Sequence, residues 1–150
     1  KQYFTDWSFK HPGPTDFKRT MEKVSGLELD WYFQYFINTT HTIDYGIKSV
    51  ESSTMTTKIT LEKIGAMPMP QDLEVVFEDG ETIRFHIPLV MMRGHRPIGS
   101  DETLAEDWPW TNPTYELTVP SMGKKISRVD LDPDRKQADV NLENNVYEGR

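Results

Sequence analysis

The sequence predicts a mainly β protein, an immunoglobulin-like antiparallel β-sandwich preceded by a short α-helical segment. Apolar side chains recur at helical spacing until about residue 40, where short alternating runs replace them. Six or seven such runs are expected in the following ~95 residues, with turn-forming residues between them, as in small sandwiches. We therefore expect a helical segment over 1–41 and a sandwich with a polar C-terminal tail over 42–150.

The N-terminal stretch begins with aromatic residues at helical spacing. Tyr3, Phe4 and Trp7 fit the last turns of a helix. Pro12 and Pro14 then prevent its continuation, because proline lacks the amide hydrogen that a helix interior requires. A short first helix followed by a proline-marked break is the expected result.

Two further helices are expected before residue 40. Phe17, Met21 and Val24 lie at positions i, i+4 and i+7. Gly26 follows them and suits the left-handed conformation in which many helices end. The next helix is expected over 29–37, and it is aromatic around most of its circumference. Such a helix should be buried on more than one side.

The helical segment carries more aromatic surface than about forty residues can bury among themselves. A covered aromatic side chain buries about 150–250 Å2, and each Å2 contributes about 25 cal/mol. We therefore expect this segment to pack on the sandwich and also on a partner surface, and to favour self-association where that partner is missing. The residues expected to make this interdomain packing are Trp7, Phe17, Trp31, Phe33 and Phe36.

Strand signals begin near residue 43. The clearest is "DLEVVFEDGETIRFHIPL", in which Asp79 and Gly80 separate two runs rich in β-branched and aromatic residues. An Asp-Gly pair in this setting predicts a tight hairpin. Further strands are expected over 45–53, 56–64, 114–119 and 125–133, with short ones near Leu104 and at Ala138–Val140.

Composition narrows the classes of partner. The chain has 150 residues, no cysteine, and a formal net charge of -7 from 17 basic and 24 acidic side chains. The basic residues are scattered, so a nucleic-acid partner is not expected. No apolar run approaches the ~20 residues of a membrane helix, so a membrane partner is not expected either. The lack of cysteine excludes disulfides, thiolate zinc ligands and cysteine nucleophiles.

No residue pattern in the sequence indicates catalysis. His11, His41, His86 and His95 form no short metal-binding pattern, and no G-x-S-x-G nucleophile motif is present. We interpret His86 as a partly exposed histidine within a strand. No catalytic or metal-binding residue is assigned.

One acidic stretch invites a calcium interpretation. It lacks the glycine and the distal bidentate glutamate of the twelve-residue calcium loop, so the ordinary interpretation is an acidic turn. The carboxylates concerned are Asp130, Asp132, Asp134 and Asp139.

A second hypothesis places a binding surface at "DWPWTNPTY". Trp108, Trp110 and Tyr115 offer flat apolar faces that suit sugar rings or peptide prolines. On this hypothesis the chain is a stand-alone binding module for a glycan or a peptide. The alternative is that one or both tryptophans fill the sandwich core or face the helices, because large exposed aromatic patches are rare.

The stretch "DFKRTMEKVSGLELDWYFQYFINT" follows the pattern F-x-x-x-(M/L/A)-E-x-x-S-G-x-x-L-x-x-F-F-x-x-W, with phenylalanine at the final tryptophan. The matching residues are Phe17, Met21, Glu22, Ser25, Gly26, Leu29, Tyr32 and Phe33, with Phe36 at the last position. This stretch resembles the closing helices of the catalytic domain in the aminopeptidase N family of zinc metallopeptidases. "HTIDYGIKSVE" and "LEKIGAMPMPQDLEVVFEDGETIRFHIPL" resemble the small β-sandwich that follows there, and "DLDPDRKQADVNLENN" resembles the end of bacterial members.

The resemblance implies a function for a larger parent protein. In the family, His-Glu-x-x-His and a downstream glutamate supply the zinc ligands and the catalytic base, and a tyrosine stabilises the oxyanion. These elements and the amine-binding G-x-M-E-N type motif precede the matched segment, and no histidine here is followed by glutamate. The resemblance thus implies a non-catalytic accessory part of a zinc aminopeptidase, partnered by the parent's catalytic domain, with zinc only in the parent. Export to the periplasm is implied by the bacterial members.

Overall fold

The computed structural model describes residues 1–149. Within them, three helices come first, namely α1 over Gln2–Trp7, α2 over Pro14–Ser25 and α3 over Asp30–Asn38. The strands that follow are β1 Tyr45–Ser52, β2 Thr56–Lys63, β3 Gln71–Phe77, β4 Thr82–Ile87, β5 Glu102–Leu104, β6 Thr114–Pro120, β7 Ile126–Leu131 and β8 Val146–Glu148. They form two sheets, and the predicted fold class, a mainly β sandwich preceded by a short helical segment, is confirmed.

The helix ends follow from local chemistry. Pro14 occupies the first turn of α2, where its missing amide hydrogen has no intrahelical partner to lose. The Asp16 carboxylate accepts a hydrogen bond from the Gly13 amide at 2.9 Å. Gly26 ends the helix with φ 72 and donates its amide hydrogen to the Glu22 carbonyl at 2.8 Å. The predicted left-handed glycine is therefore confirmed.

The sheet order is β1-β2-β6 in one sheet and β5-β4-β3-β7-β8 in the other. The chain makes one hairpin in each sheet, returns with β6 beside β2, and crosses again to place β7 beside β3. This Greek-key path is that of an immunoglobulin-like sandwich. Among the strands of residues 1–149, every strand pairing is antiparallel except that of β4 with β5, which is parallel and joins Arg84 to Glu102. The sandwich is therefore antiparallel, as predicted, apart from this short edge strand.

The predicted Asp-Gly hairpin is present between β3 and β4. Gly80 adopts φ 85, which the tight turn requires and which side chains with a Cβ rarely tolerate. Along β3 every second residue is buried, and Leu73, Val75 and Phe77 point into the core. Val129 and Leu131 of the neighbouring β7 are buried beside them. Alternate side chains of β3 therefore face the core, as the alternating sequence pattern predicted.

The C-terminal tail is not merely polar. The strand expected at Ala138–Val140 is absent, and this stretch makes an isolated bridge between Ile43 and Asp139. The last strand instead lies at Val146–Glu148, where it pairs with β7. The tail also joins the two sheets, because the Asp139 carboxylate accepts the Tyr45 amide hydrogen of β1 at 3.0 Å. The polar side chains of the tail therefore form hydrogen bonds with main-chain groups of the sandwich.

None of the helices described for residues 1–149 is long and apolar enough to cross a membrane.

Candidate functional site

In the part of the chain that the structure describes, residues 1–149, the helical segment contacts the sandwich through α3 and the residues just before it. Trp31 of α3 is 8% exposed and belongs to the hydrophobic core that fills the sandwich. Tyr35, one turn later, meets Trp110 edge to face, with ring centres 6.2 Å apart. The Glu28 amide donates a hydrogen bond to the Met92 carbonyl at 3.4 Å. These contacts leave the other side of α2 and α3 without a covering layer.

That uncovered side forms a groove between α2 and α3, here called the α2–α3 groove. Its volume is about 500 Å3. Its walls are almost entirely apolar, with a serine hydroxyl and a tyrosine hydroxyl as the polar side-chain groups. The lining residues are Phe17, Met21, Val24 and Ser25 from α2, with Leu29, Tyr32, Phe33, Phe36 and Ile37 from α3 and the residue before it.

Aromatic rings form a continuous ladder along the groove. The ring centres of Phe17 and Phe33 lie 6.0 Å apart, and those of Phe33 and Tyr32 lie 5.9 Å apart, both edge to face. Tyr32 and Phe36 are stacked at 5.2 Å. Tyr3 of α1 extends the ladder to Phe17 at 5.0 Å. Such contacts fix the rings relative to one another, so the groove has a defined shape.

The groove side chains are open to solvent to an unusual degree. Phe17, Val24, Phe36 and Ile37 keep 40%, 63%, 56% and 64% of their surface exposed. Single exposed apolar residues are ordinary in proteins, but a contiguous apolar surface of this kind marks an interaction site. The groove is therefore the candidate functional site of the chain.

The predicted packing residues divide into two groups. Phe17, Phe33 and Phe36 line the groove, as an interdomain surface requires. Trp31 does not, because its ring is already covered within the chain and its indole nitrogen donates to the Glu28 carbonyl at 2.9 Å. Trp7 is half-buried outside the groove, with the Lys10 ammonium 5.7 Å from its ring centre. Trp31 therefore packs on the sandwich, and Trp7 lies outside the groove.

A cluster of carboxylates lies next to the lining residue Leu29. The carboxylates of Glu22, Glu28 and Asp30 approach within 4.8 Å of one another. Glu22 accepts the Leu29 amide hydrogen at 3.1 Å, which places this cluster beside the groove lining. Lys18 pairs with Asp30, and that hydrogen bond raises the pKa of the Lys18 ammonium.

The residues present do not fit a zinc site. Within residues 1–149, the one group of possible ligands that comes together is the carboxylate cluster of Glu22, Glu28 and Asp30, which contains no histidine. Zinc sites in proteins use mainly histidine and cysteine, and exposed carboxylates without another ligand are common. No metal is assigned to this cluster.

The acidic stretch considered for calcium is occupied by the chain's own amides. The Asp132 carboxylate accepts main-chain hydrogen bonds from Lys136 at 3.0 Å and Gln137 at 2.8 Å. The Asp139 carboxylate accepts them from Tyr45 and Asn141. These carboxylates thus close turns and fasten the tail to β1.

His86 is buried, so its interpretation as a partly exposed histidine is wrong. Only 3% of its surface is exposed, because β4 lies between β3 and β5 within the sheet. Its Nδ1 lies 2.6 Å from an Asp72 carboxylate oxygen. The Arg96 guanidinium donates a hydrogen bond to that same oxygen at 3.0 Å. It donates two further hydrogen bonds to the Glu102 carboxylate.

This charged network fastens the loop before β5 to the sheet. Burial alone would raise the pKa of Asp72, but hydrogen bonds from His86 and Arg96 outweigh it and lower that pKa. The Arg96 guanidinium lowers the pKa of Glu102 to about 2. Both carboxylates are therefore ionised at neutral pH. The network has the features of a structural clasp.

The surface proposed around Trp108 is not formed. Trp108 is 1% exposed, since hydrogen bonds from its amide to the Pro88 carbonyl and from the Val90 amide to its own carbonyl draw it onto the sheet. Its ring meets Tyr45 edge to face at 5.4 Å and stacks on Tyr115 at 5.2 Å. The binding-surface hypothesis is therefore wrong at Trp108, and its alternative of a core tryptophan is correct.

The remaining members of that surface are partly covered as well. Trp110 is half-buried against Tyr35 of α3. Tyr115 donates its hydroxyl hydrogen to the Glu106 carbonyl at 2.8 Å, and burial raises its pKa to about 12. A stacking platform for a sugar ring needs an open aromatic face, which this arrangement does not provide.

Charge is distributed unevenly along the chain. Residues 1–41 carry five basic and five acidic side chains, whereas 42–150 carry twelve and nineteen. The whole net charge of -7 therefore belongs to the sandwich region, and the segment with the groove is neutral. A neutral apolar face beside a charged, solvated body is the usual arrangement at a docking surface.

Comparison of the chain with protein-family models, with curated proteins and with solved structures finds no match. Six groove residues were not among the predicted packing residues, namely Met21, Val24, Ser25, Leu29, Tyr32 and Ile37. Val24 continues the i, i+4, i+7 stripe of α2, and Tyr32 lies four residues before Phe36. This spacing is the signal that could have identified them.

Proposed function

We propose that the chain is a non-catalytic accessory module that docks through the α2–α3 groove onto a larger domain. The sandwich then braces that domain or restricts access to its cleft. The observation that carries this proposal is the groove itself, a shaped apolar surface that residues 1–149 leave uncovered. Phe36 and Ile37 are more than half exposed in the groove, although phenylalanine and isoleucine side chains are usually buried in protein cores.

The exposed apolar area of the groove supports a docking role. The exposed parts of the groove side chains amount to on the order of 300 Å2, given the area that aromatic residues bury. Covering this area would stabilise a complex by roughly 7 kcal/mol before the entropy of association is subtracted. An area of this size suits docking within one polypeptide better than docking between separate chains, because a tethered partner loses less freedom on association.

The partner that we propose is the catalytic domain of a zinc aminopeptidase within the same parent polypeptide. The support is the resemblance of the two helices to the closing helices of such domains. The apolar positions of that pattern coincide with the groove, since Phe17, Met21, Leu29, Phe33 and Phe36 all line it. Zinc and the peptidase chemistry would then belong to the parent domain alone.

The docking proposal predicts that the isolated chain binds an anilinonaphthalene sulfonate dye at the groove. Val24→Asp places a charge in the apolar wall, so dye fluorescence should fall to roughly half or less, whereas unfolding should shift by under about 0.5 kcal/mol at this exposed site. The measurement is a dye titration alongside thermal unfolding followed by circular dichroism.

Met55→Asp is the matched control for this experiment. Met55 is 61% exposed at the turn between β1 and β2, close to the 63% of Val24, but it lies on the sandwich. It should leave dye binding unchanged. If the native chain binds no dye and is strictly monomeric, the proposal that the groove is an uncovered docking surface is contradicted.

The identity of the parent is tested on the natural polypeptide. Intact-mass measurement and peptide sequencing should find a much larger chain with His-Glu-x-x-His before residue 1. A natural polypeptide without that motif would refute the peptidase parent and leave the docking proposal standing. Zinc-dependent peptide hydrolysis by the purified chain alone would refute the non-catalytic role.

A further inference from the structure

We propose that the outer edge of β6 binds an extended peptide segment, which adds a further strand to the β1-β2-β6 sheet. The segment carries a lysine or an arginine opposite Glu116. This surface belongs to the sandwich, so the inference goes beyond the docking function proposed for the α2–α3 groove and does not depend on it.

The register of β6 determines which of its main-chain groups face outward. The Lys63 amide of β2 donates to the Pro113 carbonyl, just before β6, at 2.8 Å. Alternate residues of an antiparallel strand face its partner, so Thr114, Glu116 and Thr118 direct their amides and carbonyls away from β2. Within residues 1–149, none of these outward groups forms a main-chain hydrogen bond. An extended peptide main chain supplies the matching donors and acceptors.

The other three sheet edges in residues 1–149 are short or covered. β5 and β8 have three residues each. The tail covers the start of β1, where the Ile47 amide donates to the Asn144 carbonyl at 2.9 Å. By contrast, β6 has seven residues, pairs with β2 without a register shift and contains no lysine. Proteins usually protect an edge of this length, so the open edge of β6 is a site for strand addition.

A cleft beside this edge gives room for the side chains of the added strand. Its volume is about 280 Å3, and Glu106 and residues 115–118 line it. Successive side chains of a strand point to opposite faces of the sheet. One set therefore lies beside the exposed Glu116, and the other lies on the face that buries Leu117, where small apolar residues are expected.

The charges on the outer face of this sheet favour a cation opposite Glu116. Lys58 of β2 lies 3.6 Å from Glu51 of β1 and 3.6 Å from Glu116 of β6. The signs therefore alternate across the three strands, and a lysine or an arginine on the added strand continues the alternation. Opposite charges on neighbouring strands stabilise their pairing.

A second copy of the chain is a poorer occupant of this edge. Antiparallel pairing of β6 with its own copy brings two Glu116 side chains close together on the same face, and like charges there are destabilising. Each copy also carries a net charge of -7, which repels its like. A basic segment of a different polypeptide meets neither obstacle.

A labelled peptide of about nine residues, long enough to span β6, tests the inference. It alternates threonine with valine and has lysine at its centre, and its dissociation constant for the full chain is measured by fluorescence anisotropy. N-methylation of the threonine and lysine amides, which would face β6, should weaken binding at least about tenfold, because several main-chain hydrogen bonds are lost. N-methylation of the valine amides is the matched control and should change binding by less than about twofold, because those amides face away.

Variants of β6 test the edge itself. Thr118→Pro removes an outward amide and no bond to β2, so it should weaken peptide binding at least about fivefold. Thr118→Ala keeps that amide and should bind as the native chain does. The lysine peptide should bind about threefold more tightly than a glutamine peptide, and Glu116→Gln should remove this preference. Circular dichroism checks the fold of each variant, and the methylated peptides remain decisive if Thr118→Pro unfolds.

Four results would overturn the inference. The first is no binding at about 1 mM peptide, and the second is an equal loss of binding for the two methylated peptides. The third is equal binding of the lysine and glutamine peptides, which would exclude a basic segment. The fourth is a dimer in sedimentation equilibrium that Thr118→Pro dissociates, which would make a second copy the occupant. Peptide binding that Val24→Asp abolishes would place the peptide in the α2–α3 groove, refuting the edge site and keeping the docking function.

Discussion

Two aromatic clusters of similar geometry lie in this chain in opposite environments. In the sandwich, Trp108 meets Tyr45 and Tyr115 at 5.4 and 5.2 Å between ring centres, and it is 1% exposed. In the helical segment, Tyr32 stacks on Phe36 at 5.2 Å, yet Phe36 remains 56% exposed. The ring contacts are equivalent, and the difference lies in what covers them.

The cover is a second layer of secondary structure. The sandwich supplies two sheets whose inner faces close over Trp108. Main-chain hydrogen bonds from the Trp108 amide to the Pro88 carbonyl and from the Val90 amide to the Trp108 carbonyl hold the loop in place. The α2–α3 hairpin has the sandwich edge on one side only. A single layer cannot bury both of its faces, so the open face is where a partner is expected. The predictions below test this contrast, beginning with the largest effect.

The core side of the contrast is tested by Trp108→Ala. Removing a fully buried indole leaves a cavity and should lower the free energy of unfolding by about 3–5 kcal/mol. Denaturant unfolding followed by circular dichroism measures the change. Trp110→Ala is the matched control, because this half-buried tryptophan should cost clearly less. Equal losses for the two variants would show that the sandwich does not seal Trp108.

The clasp of the sandwich is tested by Arg96→Met. This change removes the cation shared by Asp72 and Glu102 and should cost about 1–2 kcal/mol at neutral pH, given the ionic hydrogen bonds that are lost. Denaturant unfolding at a series of pH values provides the measurement. His86 would keep its contact with Asp72, so the fold should persist.

The pH dependence follows from the lowered pKa values. Both carboxylates have folded pKa values below their ordinary values of 3.8 and 4.5. Their stabilising effect is therefore fully present above about pH 4.5 and is lost as the pH falls toward 2. In Arg96→Met the decline over this window should be shallower, so the two proteins should converge in acid. A constant difference between them from neutral pH to pH 2 would contradict the clasp.

The open side of the contrast gives the smallest effect. Phe36→Ala should change the free energy of unfolding of the isolated chain by less than about 1 kcal/mol, because the ring is mostly in water already. The same denaturant measurement applies. With a docking partner present the variant should weaken the complex. A cost near that of Trp108→Ala would mean that the groove is closed in solution.

Local sequence signals were reliable where the physics is local. The helical spacing of Phe17, Met21 and Val24, the left-handed Gly26 and the Asp79-Gly80 hairpin all appear as expected, since each depends on neighbours within a few residues. The alternation along β3 likewise reveals its core face. These elements were sufficient to predict a mainly β sandwich behind a short helical segment.

Burial and long-range pairing required the tertiary structure. His86 and Trp31 are buried, whereas Phe36 is exposed, although all three belong to regular elements in the sequence. The tail forms a strand at Val146–Glu148 because it pairs with the edge of β7. No local sequence pattern predicts this pairing. Similarly, the groove exists because no part of the described chain covers that face of α2 and α3. The sequence by itself determined which faces are apolar; only the tertiary structure decided which are covered, because coverage depends on layers brought together from distant parts of the chain.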